Sequence, residues 1–254
     1  MSYAFGSGNL WATPLIDANG NAIANPTPVK FGELQDSQID ISRDLKELIG
    51  QNQFPVAVAV GKGKVSIKSK FARINGQMLD AVFSGQGYTS GTLTAINNDT
   101  AGTAIPASPY QLTVTPPSSG TFVADLGVID ANGNPMTRVA STPSTGQYTV
   151  TAGGQYTFAA ADTGKTVFIN YRYTATATSA KSVAFKNLPM GQTPIFGIDL
   201  TVGYAGKSVV WRFPQCVSGK LTFGTKQDDF TVLDMDISAF ADGAGNVFYE
   251  HAPE

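Results

Sequence analysis

With 254 residues, the chain is long enough to bury a sizeable core, yet charged residues make up 14% of it, against roughly 25% in an average soluble domain. This low charge, together with 27 glycines and 14 prolines, favours an all-β protein with many turns. A net charge of −2 and a pI near 5.4 argue against a general attraction to DNA or to an anionic membrane surface.

The sequence carries no secretory or membrane signal. Its first residues, MSYAFGSGNLWATP, lack a basic segment followed by an apolar one, so we expect no signal peptide. No apolar run reaches the roughly 18 residues that a membrane-spanning helix needs. Cys216 is the single cysteine, which excludes an intrachain disulfide framework. We therefore expect a soluble protein that is assembled in the cytoplasm and binds no membrane.

Residues 1–30 are rich in Gly, Asn and Pro, with scattered apolar residues. This composition is more typical of an arm than of a packed element, and we interpret 1–30 as an N-terminal arm. Within it, Asn19-Gly20 predicts a tight turn, so a small hairpin is possible there.

Two strands with striped charge are predicted next. Residues 34–45 alternate with period two, which predicts a strand with an acidic face. The acidic residues on that face are Asp36, Asp40 and Asp44. After a turn or loop over 46–55, an apolar run begins near Phe54 and leads into VGKGKVSIKSKF, residues 60–71. One face of this second strand carries Lys62, Lys64, Lys68 and Lys70.

A short helix and further strands follow. INGQMLDAVFSG has apolar residues at helical spacing, which predicts a helix over 75–84 with Asn75 as its N-cap and Gly85 as its stop. Residues 88–177 contain predicted hairpins and Thr/Pro-rich flanks, so we interpret them as a β-rich insertion or an additional domain. Near the end of this region, KTVFINYRYTATAT alternates with period two, which predicts a strand with one apolar face. The strands after Lys181 include a second acidic stripe of Asp234 and Asp236. Residues 31–87 and 178–254 together form the predicted core, with a C-terminal tail.

The lysine strand has three interpretations. Opposite charges on neighbouring strands stabilise a sheet by roughly 0.2–1 kcal/mol per pair, so an acidic strand beside the lysines, within or between subunits, would satisfy both stripes. Alternatively, the lysines form a plain solvated face. A nucleic-acid grip is the third interpretation, although no aromatic residues interleave with the lysines as a stacking platform requires.

Signatures of chemistry are missing from the sequence. His251, the one histidine, lies close to the last residue, and a Ser-His-Asp or Cys-His arrangement would have to use it. Cys216 lies in a predicted strand, where a packing role is commoner than a nucleophilic one. A His/Cys metal site is impossible with these counts, and IDANG and DGAGN fit turns better than calcium loops. GKGK at 61–64 is not a P-loop. We expect no enzyme activity, no cofactor and no metal.

The sequence resembles phage tail tube proteins, also called major tail proteins. Residues 39–86 carry this most clearly, with an acidic strand, KELIGQNQFP, a basic strand and a short helix in the order found in that family. Residues 123–175 resemble the β-rich segment that lies between the helix and the C-terminal strands in many such proteins. DFTVLDMDISAFADGAGNVFY, residues 229–249, is also similar.

The resemblance implies two packed antiparallel sheets, a β-sandwich or barrel of the tail-tube type, flanked by one helix. It also implies assembly into stacked rings, usually hexameric, whose strands form a continuous β-barrel around a channel for DNA and for the tape measure protein. Tail tip and terminator proteins would be further partners, and the virion tail would be the location. The arm, the loop 46–55 and the C-terminal tail would contact neighbouring subunits.

Two other classes of function fit the same observations. A capsid decoration or cement protein, or another ring-forming virion protein, would also be β-rich and low in charge. A carbohydrate-binding or adhesin module is suggested by the Tyr- and Gly-rich residues 146–173.

Overall fold

The computed structural model describes residues 3–253, and its strand content confirms the prediction of an all-β fold with one short helix. The described residues form two compact units: unit 1 runs up to Tyr88 and resumes at Val183, and unit 2 is Thr89–Ser182. No helix of residues 3–253 has the length and apolar character needed to cross a membrane.

Residues 3–253 contain sixteen strands. In chain order they are β1 (Asn9–Ile16), β2 (Val29–Lys30), β3 (Leu34–Ile49), β4 (Pro55–Phe71), β5 (Tyr88–Asn97), β6 (Thr103–Ala104), β7 (Gln111–Thr113), β8 (Thr121–Asp130), β9 (Thr137–Arg138), β10 (Gln147–Val150), β11 (Gln155–Phe158), β12 (Thr166–Val183), β13 (Ile195–Tyr204), β14 (Lys207–Lys226), β15 (Asp229–Phe240) and β16 (Tyr249–His251). The helix α1 (Gly76–Leu79) continues as a π-helical turn, Asp80–Ser84.

Unit 1 is built on one rolled sheet. Its strand order is β2-β1-β13-β14-β15-β4-β3, with β16 paired to β14 outside this order. β2 and β3 stand at opposite ends of the order, yet residues 31–33 alone connect them, a span of at most about 14 Å. The sheet therefore curls on itself, and the rings of Phe31 and Phe71 meet edge to face with centroids 5.1 Å apart. The result is a partly closed barrel in place of two separate sheets.

The helix closes the core of unit 1. Asn75 Oδ1 accepts a hydrogen bond from the Gln77 N–H at 3.0 Å, and Gly85 ends the helix in the left-handed region at φ 59°. Both predicted helix ends are thus confirmed. Met78 and Val82 are fully buried in the core that the sheet encloses, whereas Ile74, predicted on the same apolar face, is exposed.

Unit 2 is a sandwich with its own core. One sheet has the order β7-β11-β10-β9, and the other has β12 between β5 and β6 and also pairs β12 with β8. All of the pairings described here are antiparallel except β9 with β10. The two sheets share one core because alternate residues of β12 face inward, as predicted from their spacing. The buried β12 residues are Val167, Ile169, Tyr171 and Tyr173.

Two segments differ from their predictions. The predicted arm over 1–30 contains β1, which pairs with β13 along its length and buries Leu10 and Ala12 completely. Apolar residues at alternate positions there were too few to indicate a strand, but pairing in mid-sheet buries them. The predicted loop over 46–55 is also shorter, because β3 continues to Ile49 and β4 begins at Pro55.

Candidate assembly surface

The hairpin formed by β3 and β4 extends beyond the core of unit 1. Every residue of 41–49 and of 55–64 is exposed. The large apolar side chains among them are more than half exposed, and so is Phe54 in the turn, at 78%. They are Ile41, Leu45, Leu48, Ile49, Val56, Val58 and Val60. Isolated exposed apolar residues are ordinary, but a set of this size on one hairpin is typical of an interaction surface.

One face of this hairpin continues the core-facing side of the rolled sheet. Side chains alternate along a strand, so Ile41, Leu45 and Ile49 share the face of Ile39, which packs on the core. The register pairs Leu45 with Val60 and adds the latter to the same face. This face therefore carries apolar side chains out into solvent, where they alternate with Arg43 and Glu47.

β3 also ends the sheet with a free edge. It pairs with β4 and, within residues 3–253, with no second strand, so the outward backbone N–H and C=O groups of a 16-residue strand lack a strand partner. The opposite end of the strand order is β2, with two residues. Long open edges are templates for pairing with another chain. The free edge and the apolar hairpin occupy the same strand.

The two charged stripes meet in the sheet of unit 1. β4 lies between β3 and β15, and the register places Lys70 between Asp36 and Asp234. Lys68 lies between Gln38 and Asp236. These side chains belong to the exposed face, because the alternate residues of β4 from Val65 to Phe71 are buried. No lysine Nζ of these two stripes lies within 4.0 Å of a carboxylate oxygen. The opposite charges are therefore neighbours on adjacent strands that do not form contact ion pairs.

The remaining predicted members of the stripes do not form such pairs. Lys64 faces Ser42, and Asp40 faces Ser66 while accepting a hydrogen bond from Gln38 Nε2 at 2.8 Å. Asp44 and Lys62 lie where the register shifts, between the pairs Arg43–Gly63 and Leu45–Val60. Of the three aspartates of β3, Asp36 alone is therefore paired in register with a lysine, whereas Asp40 lies opposite a serine and Asp44 opposite the bulge that contains Lys62.

Sequence reasoning missed one charged residue of this face. Lys220 lies opposite Asp236 on β14, so Asp236 is flanked by lysines on both sides. The alternation of side chains along β14 could have placed Lys220 on this face. A shift in register between Ser218 and Lys220 interrupts that alternation, so a count with period two does not find the residue. The exposed face is thus a charge-balanced lattice in which cationic and anionic rows alternate.

A groove of about 780 Å³ opens in unit 1 beside the base of the hairpin. Its apolar lining comes from β3, β13 and β14 and from Phe248 ahead of β16. Its charged lining residues are Asp36 and Glu250, and Ala4, Gly6 and Ser7 border it. Among these N-terminal residues, Ser7 donates a hydrogen bond from its Oγ to the Leu34 carbonyl at 2.6 Å. This bond holds the segment before β1 against the start of β3.

Cys216 and His251, the two residues considered for catalysis, belong neither to the β3–β4 hairpin nor to the lining of this groove. Cys216 is fully buried on β14, and burial raises the pKa of its thiol to about 12, so the thiol stays protonated near neutral pH. His251 lies on β16 with its ring stacked on Tyr249 at a centroid distance of 6.3 Å. No three His, Cys, Asp or Glu residues of 3–253 are grouped so that they could hold a metal ion.

In comparisons with known proteins, no family model and no curated protein matches this chain.

Proposed function

We propose that this chain is a phage tail tube protein, which polymerises as stacked rings that enclose a channel for DNA, the rings being hexameric as in the proteins it resembles. The sequence of residues 39–86 supports this through its order of acidic strand, basic strand and helix. The rolled sheet of unit 1, which contains both strands and the helix, is compatible with a ring subunit. The chain serves as a structural component of the virion tail and carries out no catalysis.

One observation carries the proposal: the β3–β4 hairpin is exposed on both faces and lies at a free sheet edge. An isolated two-stranded hairpin is marginally stable in water, so an apolar one needs cover. Pairing and packing with other copies supply this cover, and closure of a ring ends lateral growth. The exposed hairpin and the free edge therefore support self-assembly.

The charged lattice supports a role in passing DNA without holding it. DNA affinity depends on cations that neutralise phosphates, and each unpaired lysine adds to it. Lys68 and Lys70 have carboxylates beside them in register, so their attraction for phosphate is reduced. A channel wall with this balance lets DNA slide. The tape measure protein occupies the channel during assembly, and the tail tip and terminator proteins cap the tube.

The carbohydrate-binding alternative loses its motivation in unit 2. The tyrosines of 146–173 that suggested sugar stacking are Tyr148, Tyr156, Tyr171 and Tyr173, and each is at most 9% exposed. They form the core of the sandwich and present no aromatic platform. A capsid decoration protein would share the β content but would assemble as small oligomers on a capsid.

The experiment that tests the proposal is sedimentation velocity over a range of protein concentrations, followed by negative-stain electron microscopy. We expect rings or tubes that grow with concentration. Val58→Asp on the hairpin should raise the concentration needed for assembly at least tenfold, whereas Val123→Asp, at an exposed valine of unit 2, should leave it unchanged. A wild-type protein that stays monomeric at high concentration would contradict the proposal.

A further inference from the structure

We propose that the groove bordered by Phe248 and Glu250 receives the β3–β4 hairpin of a second copy of this chain. The inference rests on the proposed self-assembly and specifies its contact: one copy inserts, and the next copy accepts. Such a contact is heterologous, because the inserted surface and the receiving surface are different parts of the chain.

The groove offers an apolar seat. Leu200 and Val202 from β13 and Trp211 and Phe213 from β14 line it, with Phe248 against the ring of Phe213 at a centroid distance of 6.0 Å. A volume of about 780 Å³ accommodates several aliphatic side chains. Ligand sites of this size and character bind apolar groups with a few polar groups at the border.

The hairpin offers the matching apolar ligand. The residues that need cover are aliphatic and lie within 41–60, with Phe54 at the turn. Their side chains are more than half exposed in unit 1 alone, so burial against a second copy removes apolar area from water at about 25 cal/mol per Å². The groove and the hairpin are therefore the two halves of one apolar contact.

Charge favours the same pairing. Residues 41–64 of the hairpin carry four cations and two anions, a net charge of +2. The cations are Arg43, Lys46, Lys62 and Lys64, and the anions are Asp44 and Glu47. The charged residues that line the groove, Asp36 and Glu250, are both acidic, and Asp36 also has Lys70 beside it in register. Opposite charges at the border of an apolar contact steer the encounter and fix its orientation.

The occupant must come from another copy. Ile41 lines the groove at the base of the hairpin, and β3 runs from there to Ile49. Eight steps of about 3.4 Å carry the end of the strand about 27 Å from its own groove. A paired strand cannot fold back over that distance without breaking its ladder with β4. Each copy therefore presents one exposed hairpin that can insert and one groove that can receive a hairpin, which is the condition for head-to-tail assembly.

Complementation between two defective variants tests the inference. Val58→Asp disables the hairpin, and Phe248→Asp disables the groove; each alone should fail to assemble at concentrations where wild type does. An equimolar mixture should form a discrete dimer that grows no further, because Phe248→Asp still has a hairpin and Val58→Asp still has a groove. A Phe248→Asp variant that assembles like wild type overturns the groove while leaving the proposed function intact, and so does a mixture that stays monomeric.

Crosslinking keeps the test decisive if Phe248→Asp fails to fold. Phe54→Cys and Ala4→Cys are placed in separate copies, and buried Cys216 does not compete for a flexible bismaleimide. We expect a covalent dimer between the two variants. The control pair, Phe54→Cys with Val123→Cys in unit 2, should give none. Equal crosslinking of both pairs, or none with Ala4→Cys in assembled protein, overturns the inference.

Discussion

Three aspartates form the same turn at distant points of the chain. Asp17, Asp130 and Asp242 each use Oδ1 to accept the backbone N–H groups two and four residues ahead, at 2.9 and 2.8 Å. Each turn also ends in Gly-Asn, with the glycine at positive φ. The sequence comparison with calcium loops correctly favoured turns, because these carboxylate oxygens are occupied by backbone donors.

These turns should respond to acid. In each, the N–H of the asparagine four residues on is the largest cause that lowers the pKa of the aspartate below 3.8. The folded chain therefore binds protons less readily than the unfolded chain, and the stabilisation is present above about pH 4 and lost as pH falls through the lowered pKa. Carboxyl NMR titration should place all three midpoints below 3.8. The stability difference between wild type and Asp17→Asn/Asp130→Asn/Asp242→Asn should shrink over the same range; a constant difference would contradict this.

A single carboxylate ties together the two sheets of unit 2. Asp125 on β8, with a side chain 5% exposed, accepts from the phenols of Tyr148 at 2.7 Å and Tyr156 at 2.9 Å. The Gly127 N–H adds a third hydrogen bond at 3.0 Å. Burial, with Asp125 as the second cause, raises the pKa of both phenols, so they remain donors throughout the neutral range. The hydroxyl groups of Tyr148 and Tyr156 thereby both have a hydrogen-bond acceptor within the protein.

Asp125→Ala should lower the free energy of unfolding of unit 2 by about 2–4 kcal/mol, because it leaves two buried phenols without an acceptor. Asp125→Asn keeps one acceptor oxygen and should cost about half as much. Urea denaturation followed by near-UV circular dichroism measures both, since the tyrosines are concentrated in this core. Equal losses for the two variants would show that the carboxylate charge, and not acceptor geometry, stabilises the site.

At the scale of elements, the sequence predicts most strands and the helix but misses the part of the β3–β4 hairpin that extends beyond the core of unit 1. The alternation of β12 and the capping of α1 are local signals, and the structure confirms both. The extension of β3 to Ile49 was missed because both faces of the hairpin mix apolar and charged residues. No period-two pattern exists where no face is buried by the chain itself. The absence of a pattern there coincides with the candidate assembly surface.

The contribution of cross-strand charge pairs to stability should be measurable on the exposed face of β3, β4 and β15. Lys70→Glu places a carboxylate between Asp36 and Asp234, which exchanges two attractions for two repulsions. We expect a loss of about 1–2 kcal/mol of unfolding free energy at low salt. Lys64→Glu is the matched control, because Lys64 faces Ser42, and should change stability by less than about 0.5 kcal/mol. Added salt should reduce the difference in unfolding free energy between the two variants. A difference that persists in high salt would show that it arises from packing and not from charge.

At the scale of the whole molecule, the strand order of unit 1 was beyond the sequence. Joining β1 to β13 and β4 to β15 requires contacts across more than a hundred residues, which local patterns do not encode. The predicted insertion over 88–177 compares with a compact unit of Thr89–Ser182. The Thr/Pro-rich composition indicated approximately where this unit begins and ends. Strand β12 continues past the predicted boundary at residue 177, which explains why residues 178–182 belong to the unit.

Each unit has its own buried core, and this predicts separate unfolding. Asp125→Ala acts within unit 2, whereas Asn75→Ala removes the N-cap of α1 in unit 1 and should cost about 1 kcal/mol there. In calorimetry of the full chain we expect two transitions. Asn75→Ala should lower the melting temperature of the unit 1 transition alone, and Asp125→Ala that of the unit 2 transition alone. Asn75→Ser, which retains an N-cap acceptor, is the control for the first. If both variants shift one shared transition, the two cores unfold as a single cooperative structure, and their free energies cannot be treated as independent.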